Sequence, residues 1–455
     1  MRVRQGLPTT MIPAQLYTSQ TTPGTTSQTT FSSVFRTVVL VSFILAGLIY
    51  TIINLQHHPH HPNKQVHNID KSLFDPQTGI PLTNPLPTSL QPAPPSSSSS
   101  SDTISIVSTF NGAFSPSFAS WLIYYQHIGV SHFYLFCEHA SQTDFQEFER
   151  SVGDFLATPK AHLLTVKLVW KGGKISSIGR ITKKSARLYC ENPEICERVV
   201  KEGWLTGWFD LRCNGELFVR QSLNMEEAIV MALEDNVQWL AHIDGDELIY
   251  PGFVEGEETL DFRKALGKID ESVDSLLLVN WEGVPETPGG AESNIFEEIT
   301  LFKKHHTDTK SARPFLTYAN GKSVARVAPG LRSNGAHRFT TRGVWGKKKK
   351  TFVQEDFAGA RILHYTYCKV STARGRGLAG EKCGCEPTQE DAEACFILRF
   401  DQEVFLKSME LKEEEEFEKW YDEMIVWGKE REAEKEDMLS YGVMARVVLP
   451  KMIVL

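Results

Sequence analysis

Two acidic side chains, one residue apart, follow an apolar run in the middle of the chain. The run WLAHI at residues 239–243 leads into Asp244, Gly245 and Asp246, and Glu247 comes next. The end of such a strand lies at the carboxyl edge of a sheet, where open α/β sheets bind ligands. Two carboxylates there would hold Mn²⁺ or Mg²⁺ rather than zinc, and the glycine lets a phosphate approach the backbone. The pattern predicts a divalent metal site at a sheet edge.

The segments around this motif predict the sheet that would position it. Helical spacing of Trp121, Tyr125 and Ile128 predicts one helix, and residues 217–236 predict another,. The apolar segments that predict strands are ISIVSTF (104–110), HFYLFC (132–137), LLTVKLVW (163–170), WLAHID (239–244) and SLLLVN (275–280),. Strands that alternate with helices are typical of an α/β domain with a mostly parallel sheet.

The second half of the chain is less regular. Residues 281–370 contain Gly, Pro and basic clusters, which predicts active-site loops, and Lys347 to Lys350 predict a solvated loop,. Residues 411–437 are strongly charged, but aromatic and apolar side chains recur there at helical intervals: Phe417, Trp420, Tyr421, Met424 and Trp427. This pattern predicts an amphipathic helix packed on the domain.

Composition limits the classes of partner. The chain has 455 residues, of which 41% are hydrophobic, so it can bury a large core,. The formal net charge of -8 argues against a nucleic acid polymer as the partner,. Residues 303–326 nevertheless carry a local excess of Lys and Arg, which would suit a phosphorylated ligand,.

The N-terminal part predicts a membrane anchor. Residues 37–55 are apolar and, at about 19 residues, long enough to span a bilayer,. Arg2, Arg4 and Arg36 precede this stretch, so the positive-inside rule places the N-terminus in the cytoplasm and the remainder in a lumen,. Residues 56–102, rich in Pro, Ser and His, predict a flexible stem,. A cleaved signal peptide and a plastid transit peptide remain as alternatives.

The cysteines suit an oxidising compartment, where some of them would form disulfides. Their spacing does not determine the pairing. Zinc binding by the group Cys368, Cys383, Cys385 and Cys395 is the alternative,. The eight positions are Cys137, Cys190, Cys196, Cys213, Cys368, Cys383, Cys385 and Cys395.

Four sequence blocks, in order, resemble glycosyltransferase family 92 and related GT-A nucleotide-sugar transferases. The blocks are WLIYYQHIGVSHFYLFCEHASQTD (121–144), QSLNMEEAIVMALEDNVQWLAHIDGDEL (221–248), GKSVARVAPGLRSNGAHRF (321–339) and ILHYTYCK (362–369). Where the family usually has Asn-Glu and Glu-Trp pairs, this chain has Thr109-Phe110-Asn111-Gly112 and Ser120-Trp121. The resemblance implies inverting transfer of a sugar, often galactose from UDP-galactose, onto an acceptor glycan in the Golgi.

The resemblance also implies a domain plan. It implies a GT-A fold, which is Rossmann-like with a mostly parallel sheet flanked by helices, in the Golgi. Together with the anchor predicted from residues 37–55, this gives a single-pass type II protein of the Golgi membrane,. The predicted segments are a cytoplasmic tail (1–36), the anchor (37–55), the stem (56–102), the catalytic domain (103–400) and a charged C-terminal helix and tail (401–455).

The resemblance assigns roles to the acidic motif and to a later His and Lys pair. Asp246 would bind the metal directly, and Asp244 would reach the ribose or a metal-bound water. Glu247 would orient both of them. His364 would complete the metal shell, as in other GT-A transferases, and Lys369 would bind the diphosphate as a point charge. A core histidine followed by a surface lysine is the alternative interpretation of this pair.

Inversion requires a base that removes a proton from the acceptor hydroxyl. Glu282 and Glu286 follow the SLLLVN segment and are the candidates, and Trp281 would stack on a sugar,. Lys322, with Arg326 behind it, would contact phosphate or merely cover a loop.

Two histidines and two other functions complete the hypotheses. His337 is a competing metal ligand or acceptor-site residue, whereas His242 lies in an apolar strand and is interpreted as a core residue. A metal-dependent phosphoesterase would also use Asp pairs, but it would be expected to have a dense cluster of His and Asp. A glycan-binding or scaffold protein on a transferase-like fold is the second alternative.

Overall fold

The computed structural model describes residues 103–161, 163–251, 261–289, 293–304, 321–341, 353–354 and 360–454. The predicted tail, anchor, stem and Lys347–Lys350 loop lie outside the described residues. Within these ranges, no helix is long and apolar enough to cross a membrane. The described residues all belong to one compact unit.

Fourteen strands occur in the described ranges, and they form three sheets. They are β1 (Ile104–Phe110), β2 (Val130–Cys137), β3 (Thr165–Trp170), β4 (Trp239–His242), β5 (Glu247–Pro251), β6 (Ser275–Leu278), β7 (Asn280–Val284), β8 (Leu301–Lys304), β9 (Lys322–Arg326), β10 (Leu331–Ser333), β11 (Phe339–Thr341), β12 (Val353–Gln354), β13 (Ala360–His364) and β14 (Met444–Arg446).

Thirteen α-helices connect and cover the strands of the described ranges. They are α1 (Pro116–His127), α2 (Gln142–Leu156), α3 (Gly172–Ile178), α4 (Pro193–Glu202), α5 (Asn214–Glu234), α6 (Phe262–Gly267), α7 (Ile295–Glu298), α8 (Val370–Lys382), α9 (Gln389–Cys395), α10 (Arg399–Glu410), α11 (Glu414–Met424), α12 (Glu432–Ser440) and α13 (Leu449–Val454).

The central sheet has seven strands in the order β12-β6-β9-β4-β1-β2-β3. The neighbours β4, β1, β2 and β3 are parallel, whereas β9 is antiparallel to both β4 and β6. Most side chains of β1, β2 and β4 are buried, as expected for strands with both faces covered,. The predicted strands that begin at residues 104, 132, 163 and 239 and the 217–236 helix are confirmed within a few residues, and the arrangement fits a Rossmann-like α/β fold.

A second sheet departs from the predicted loops. It has five strands in the order β14-β8-β7-β13-β5, and most of its strands lie between residues 280 and 364. The predicted SLLLVN strand is in fact divided, because β6 ends at Leu278 in the central sheet and β7 begins at Asn280 in the second sheet. These strands are three to five residues long. Strands that short give almost no periodic signal in a sequence.

The C-terminal segment is part of the same fold. Helix α10 runs through residue 400, the predicted domain boundary, and β14 pairs with β8 of the second sheet. The predicted amphipathic helix of residues 411–437 consists of two helices, α11 and α12, with Trp427 between them. Phe417, Tyr421 and Trp427 are buried, so the aromatic side chains pack against the domain as predicted.

Three disulfides join segments of the described chain: Cys190–Cys196, Cys213–Cys383 and Cys385–Cys395. Cys213 and Cys383 are 170 residues apart, so closing this loop in the unfolded chain costs on the order of 5 kcal/mol of entropy,. The predicted zinc group is not assembled as proposed, because Cys368 is a buried free thiol. The other three members, Cys383, Cys385 and Cys395, are all in disulfides and offer no thiolate to a metal,.

Candidate active site at the carboxyl edge of the central sheet

The acidic motif lies where the order of the parallel strands reverses. Strand β1 has β2 on one side and β4 on the other, so the gap between the ends of β1 and β4 is a topological switch point. Gly245 is packed against the last residue of β1, since a Cβ atom there would lie 3.6 Å from the Phe110 ring. Open α/β sheets bind ligands at this position.

One turn of helix α5 holds the two strand ends beside the gap. Gln221 donates from Nε2 to Oδ1 of Asp244 over 2.8 Å, at the end of β4. Asn224 donates from Nδ2 to Oγ1 of Thr109 over 2.9 Å, at the end of β1. Both donors are buried, so their side chains are fixed by the helix packing. Helix α5 therefore sets the width of the crevice and the orientation of Asp244.

The same helix also binds the ends of the outer parallel strands. The Arg220 guanidinium lies 2.7 Å from the carboxylate of Glu138, which follows β2. The ammonium of Lys171, which follows β3 and is fully buried, lies 2.9 Å from the carboxylate of Glu227. Polar contacts from one helix thus fix all four parallel strands at their carboxyl ends.

Asp244 and Glu247 share a buried cation. The Nζ atom of Lys322 lies 2.6 Å from Oδ2 of Asp244 and 3.4 Å from Oε2 of Glu247, and the Lys322 side chain has no exposed surface. Burial would raise the pKa of Asp244, but Lys322 outweighs it and holds that pKa well below the usual range. Burial raises the pKa of Glu247 to about 7, although Lys322 acts against it. Lys322 is therefore an internal counter-ion with no exposed surface for the phosphate contact predicted from the sequence.

The backbone of Glu247 is fixed by two aromatic side chains of α1. Trp121 donates from its indole nitrogen, and Tyr125 from its hydroxyl, to the Glu247 carbonyl oxygen, each over 3.0 Å. Both side chains are fully buried, so their polar ends require a partner there,. The Glu247 side chain, in turn, accepts a hydrogen bond from the Asp244 amide over 2.9 Å. These contacts make the acidic turn rigid.

Asp246 is the acidic residue of the motif whose cationic partner is itself exposed. Its Oδ2 atom contacts the Nη2 atom of Arg376 in α8 at 2.5 Å, and 21% of its side chain is exposed. The backbone of Asp246 is also held, because the Tyr365 amide donates to the Asp246 carbonyl oxygen over 2.8 Å. Asp246 therefore has a fixed backbone and a side chain paired with a partly exposed cation.

A row of alternating charges crosses the second sheet beside the motif. In the strand register, Glu247 pairs with His364, His364 with Glu282, and Glu282 with Lys303. The His364 Nδ1 atom lies 2.9 Å from the Glu282 carboxylate, and the Thr366 hydroxyl contacts both ring nitrogens. Burial would lower the pKa of His364, but Glu282 raises it to about 9. The histidine is thus held as a cation.

This ion pair predicts a specific pH dependence of stability. The folded His364 has a pKa of about 9 and a histidine in an unfolded chain has one near 6.5, so the pair stabilises fully below about pH 6.5,. The stabilisation is then lost as the pH rises toward 9. We expect His364→Gln to lower the free energy of unfolding by about 3 kcal/mol at pH 6 and by much less at pH 9.5. Urea unfolding at both pH values measures the difference.

His127→Gln is the matched control for this measurement. Burial lowers the pKa of His127, so from pH 7 to pH 9.5, an interval in which the effect of His364→Gln should still decline, the effect of His127→Gln on unfolding should not change,. An effect of His364→Gln that is equal at pH 6 and pH 9.5 would contradict the assignment of a charged His364.

Several residues predicted from the sequence lie away from this cluster. Glu286 is held by Lys435 and Arg446 of the C-terminal segment, whereas Glu282 is held by His364 in the row beside the acidic motif. Trp281 alternates with Glu282 along β7 and therefore faces the other side of the sheet, where its ring lies beneath Lys304,. Sugar stacking by Trp281 next to Glu282 is thus not supported.

Two predicted phosphate-binding cations have structural partners. Arg326 donates to the carbonyl oxygens of Val273 and Ile269 and stacks on the Trp239 ring. Lys369 precedes α8 and donates to the Ser293 carbonyl oxygen. The diphosphate contact predicted for Lys369 would require this bond to open.

The two remaining histidines lie behind Asp244. His242 is buried, as predicted, and its Nδ1 atom is 2.6 Å from the Ala336 carbonyl oxygen. His337 is held at 2.8 Å by the Gly321 carbonyl oxygen. Burial together with Lys322 lowers the pKa of His242 to about 4 and that of His337 to about 3, so both are neutral at physiological pH. Each of these neutral histidines directs its Nδ1 atom at a backbone carbonyl oxygen, which fixes the orientation of its ring.

Four further residues near the motif were not predicted from the sequence. Gln221, Thr366 and Arg376 contact Asp244, His364 and Asp246, as described above. Asp401 of α10 accepts a hydrogen bond from Asn214 over 3.3 Å, and burial raises its pKa to about 6, with Glu282 and Asp246 adding to the effect. Gln221 and Thr366 lie inside two of the four blocks that resemble the transferase family. Arg376 and Asp401 lie outside the blocks, and nothing in the neighbouring sequence indicates a role for them.

Comparison with known proteins identifies relatives of the chain. It is 34% identical over 348 residues to one glycosyltransferase-like protein of Arabidopsis thaliana, and the match covers 73% of this chain and 60% of that protein. A second glycosyltransferase-like protein of the same plant is 32% identical over 348 residues, with 68% of its length covered. The chain thus spans about three fifths of the length of the first relative. No protein-family model matches the sequence. From these two relatives, the chain belongs to a glycosyltransferase-like family.

Proposed function

We propose that this protein transfers a sugar from a UDP-linked donor, with galactose as the proposed sugar, to an acceptor glycan with inversion at the anomeric carbon. The observation that carries the proposal is the position of Asp246, a partly exposed carboxylate on a rigid turn at the switch point between β1 and β4. The two glycosyltransferase-like relatives support glycosyl transfer in general. Open α/β sheets bind their ligands, nucleotides among them, at an edge of this kind.

The residues of the acidic motif fit a divalent cation that is bound by one carboxylate and, for the rest, by the phosphates of the nucleotide-sugar donor. Asp244 is a poor ligand, because Lys322 and Gln221 already bind one carboxylate oxygen each. His364 is also unsuited, because both ring nitrogens have partners. Asp246 fits, since ions such as Mg²⁺ are usually bound by one or two carboxylates together with phosphate oxygens and water. When bound, Mn²⁺ or Mg²⁺ would neutralise charge on the departing diphosphate.

The remaining residues of the motif orient the donor. The Asp244 side chain is 28% exposed, and a carboxylate has lone pairs beyond those that Gln221 and Lys322 use,. It can therefore accept a hydrogen bond from a ribose hydroxyl while Lys322 keeps it ionised. Glu247 positions Asp244 without contacting the ligand, because its carboxylate accepts a hydrogen bond from the Asp244 amide.

Glu282 is the proposed base. It lies in the same cross-strand row as Glu247 and His364, at the edge that carries the metal ligand. In this role its carboxylate takes the proton of the acceptor hydroxyl while the hydroxyl oxygen attacks the anomeric carbon and the bond to the UDP oxygen breaks. The charged His364 keeps the carboxylate oriented.

The proposed setting is the Golgi lumen. Residues 37–55 would anchor the chain as a single-pass type II protein, with the described domain on the lumenal side,. The three disulfides support an oxidising compartment,.

Hydrogen-deuterium exchange on the full chain tests where the donor binds. With UDP and Mn²⁺ we expect slower exchange at residues 109–112 and 244–247, the two loops that flank the switch point. AMP with Mn²⁺ is the control nucleotide. A glycan-binding protein would instead be protected by glycans and not by UDP. Protection by UDP only at distant segments, or no protection, would contradict the proposal.

A further inference from the structure

Arg376 is the exposed cation of the acidic cluster. Its side chain is 43% exposed, whereas that of Lys322 is fully buried and that of His364 is 15% exposed. A side chain with that much exposed surface can rotate away from its partner without opening the core. Lys322 cannot do so, because it is enclosed on all sides.

The Arg376 guanidinium occupies the position that a cation bound through Oδ2 of Asp246 would need. It contacts Oδ2 of Asp246, and it lies 5.7 Å from the centre of the Tyr367 ring. Two positive groups cannot share one carboxylate oxygen at contact distance without strong repulsion. A metal ion on that oxygen therefore requires Arg376 to leave.

The backbone around Arg376 is anchored, whereas its exposed side chain can exchange one partner for another. Helix α8 begins at Val370, shortly after the Tyr365 amide bonds the Asp246 carbonyl oxygen. Ala373, Gly377 and Gly380 of the same helix are buried against its neighbours. The guanidinium thus stays within reach of the crevice when it releases Asp246.

We propose that Arg376 is the counter-ion of Asp246 in the free protein, and that its side chain moves to the diphosphate of the sugar donor when a divalent metal binds Asp246 in its place. This inference rests on the proposed function. A planar guanidinium suits the change, because it binds carboxylate and phosphate oxygens in the same bidentate manner. Metal and nucleotide then bind cooperatively, since each favours the displaced position of Arg376.

The test compares Mn²⁺ and UDP binding by the detergent-purified full chain and its Arg376→Gln variant. We expect Arg376→Gln to bind Mn²⁺ about fivefold more tightly in the absence of nucleotide, the equivalent of a partly exposed ion pair. At saturating Mn²⁺ it should bind UDP at least about tenfold more weakly, because a charge-assisted contact is lost. Free Mn²⁺ is followed by electron paramagnetic resonance, and UDP binding by calorimetry.

Two further variants make the result specific. Arg374→Gln removes a half-buried arginine of the same helix that donates to the Lys412 and Glu413 carbonyl oxygens, and it should change neither affinity. Arg376→Lys keeps the charge but not the planar fork, so Mn²⁺ affinity should stay near that of the unmodified chain while UDP affinity recovers only in part. Thermal unfolding confirms that the variants are folded.

Each outcome decides between the inference and the function on which it rests. If the unmodified chain binds Mn²⁺ and UDP but Arg376→Gln leaves either affinity unchanged, the proposed role of Arg376 as a displaceable counter-ion is wrong and the proposed function stands. If the unmodified chain binds neither, the proposed function fails and the inference fails with it.

Discussion

Replacing Asp246 by asparagine is expected to lower the rate of sugar transfer by about a hundredfold to a thousandfold. In the proposed mechanism this carboxylate holds the cation that neutralises the leaving diphosphate, and loss of one preorganised electrostatic contact commonly has an effect of this size. The fold should be retained, because 21% of the side chain is exposed and its ion-pair partner Arg376 is also exposed. Initial rates of UDP release at saturating donor measure the effect.

Asp270→Asn is the matched control for Asp246→Asn. Asp270 accepts a hydrogen bond from the Ser272 amide over 2.8 Å and lies in an exposed turn outside the acidic cluster. Its replacement should leave the transfer rate within about twofold of the unmodified chain, as is usual for a surface substitution. An Asp246→Asn protein that transfers sugar at nearly the unmodified rate would show that Asp246 has no direct part in the chemistry.

The largest expected effect on stability comes from Lys322→Met. The substitution leaves the buried carboxylates of Asp244 and Glu247 without their shared cation, and breaking a buried ion pair in this way costs about 3 to 5 kcal/mol of unfolding free energy,. Burial would lower the pKa of Lys322, but the two acidic neighbours raise it, so the lysine is charged throughout the accessible pH range. Urea unfolding at pH 7 measures the loss.

Two comparisons separate this effect from a general effect of removing a lysine. Lys167→Met removes a lysine whose partner is Asp235 and whose side chain is 41% exposed, so its loss should be below about 1 kcal/mol,. Adding Asp244→Asn to Lys322→Met should recover part of the stability, because a neutral amide is less costly to bury than an unpaired carboxylate. Equal losses for Lys322→Met and Lys167→Met would contradict the buried-counter-ion assignment.

The sequence predicted five of the seven strands of the central sheet because their signal is local, whereas β9 and β12 fall in the segment predicted as loops. Strands β1, β2 and β4 are runs of apolar residues, and helix α5 has a long amphipathic pattern. The second sheet was predicted as loops, because its strands are short and their partners are far apart in the chain. For example, β5 pairs with β13, which lies more than a hundred residues later.

The site residues that could be predicted are likewise those with a local sequence pattern. The Asp244–Asp246 motif stands out because it follows an apolar run, and His364 because it ends a short strand. Arg376 reaches Asp246 only after α8 packs beside the second sheet, 130 residues along the chain, so neither spacing nor composition could indicate it. Lys322 was noticed as a basic residue, but its role depends on burial, which the sequence does not show.

The measurement that tests the central claim most directly is UDP release by the full chain, offered a panel of UDP-sugars and mixed glycan acceptors, with and without Mn²⁺, beside Asp246→Asn. We predict metal-dependent turnover of one donor, a product with inverted anomeric configuration, and loss of turnover in the variant. If no donor is turned over or bound, and chelation of metal changes neither activity nor thermal stability, the transferase account is wrong and a glycan-binding or scaffold role becomes the better explanation.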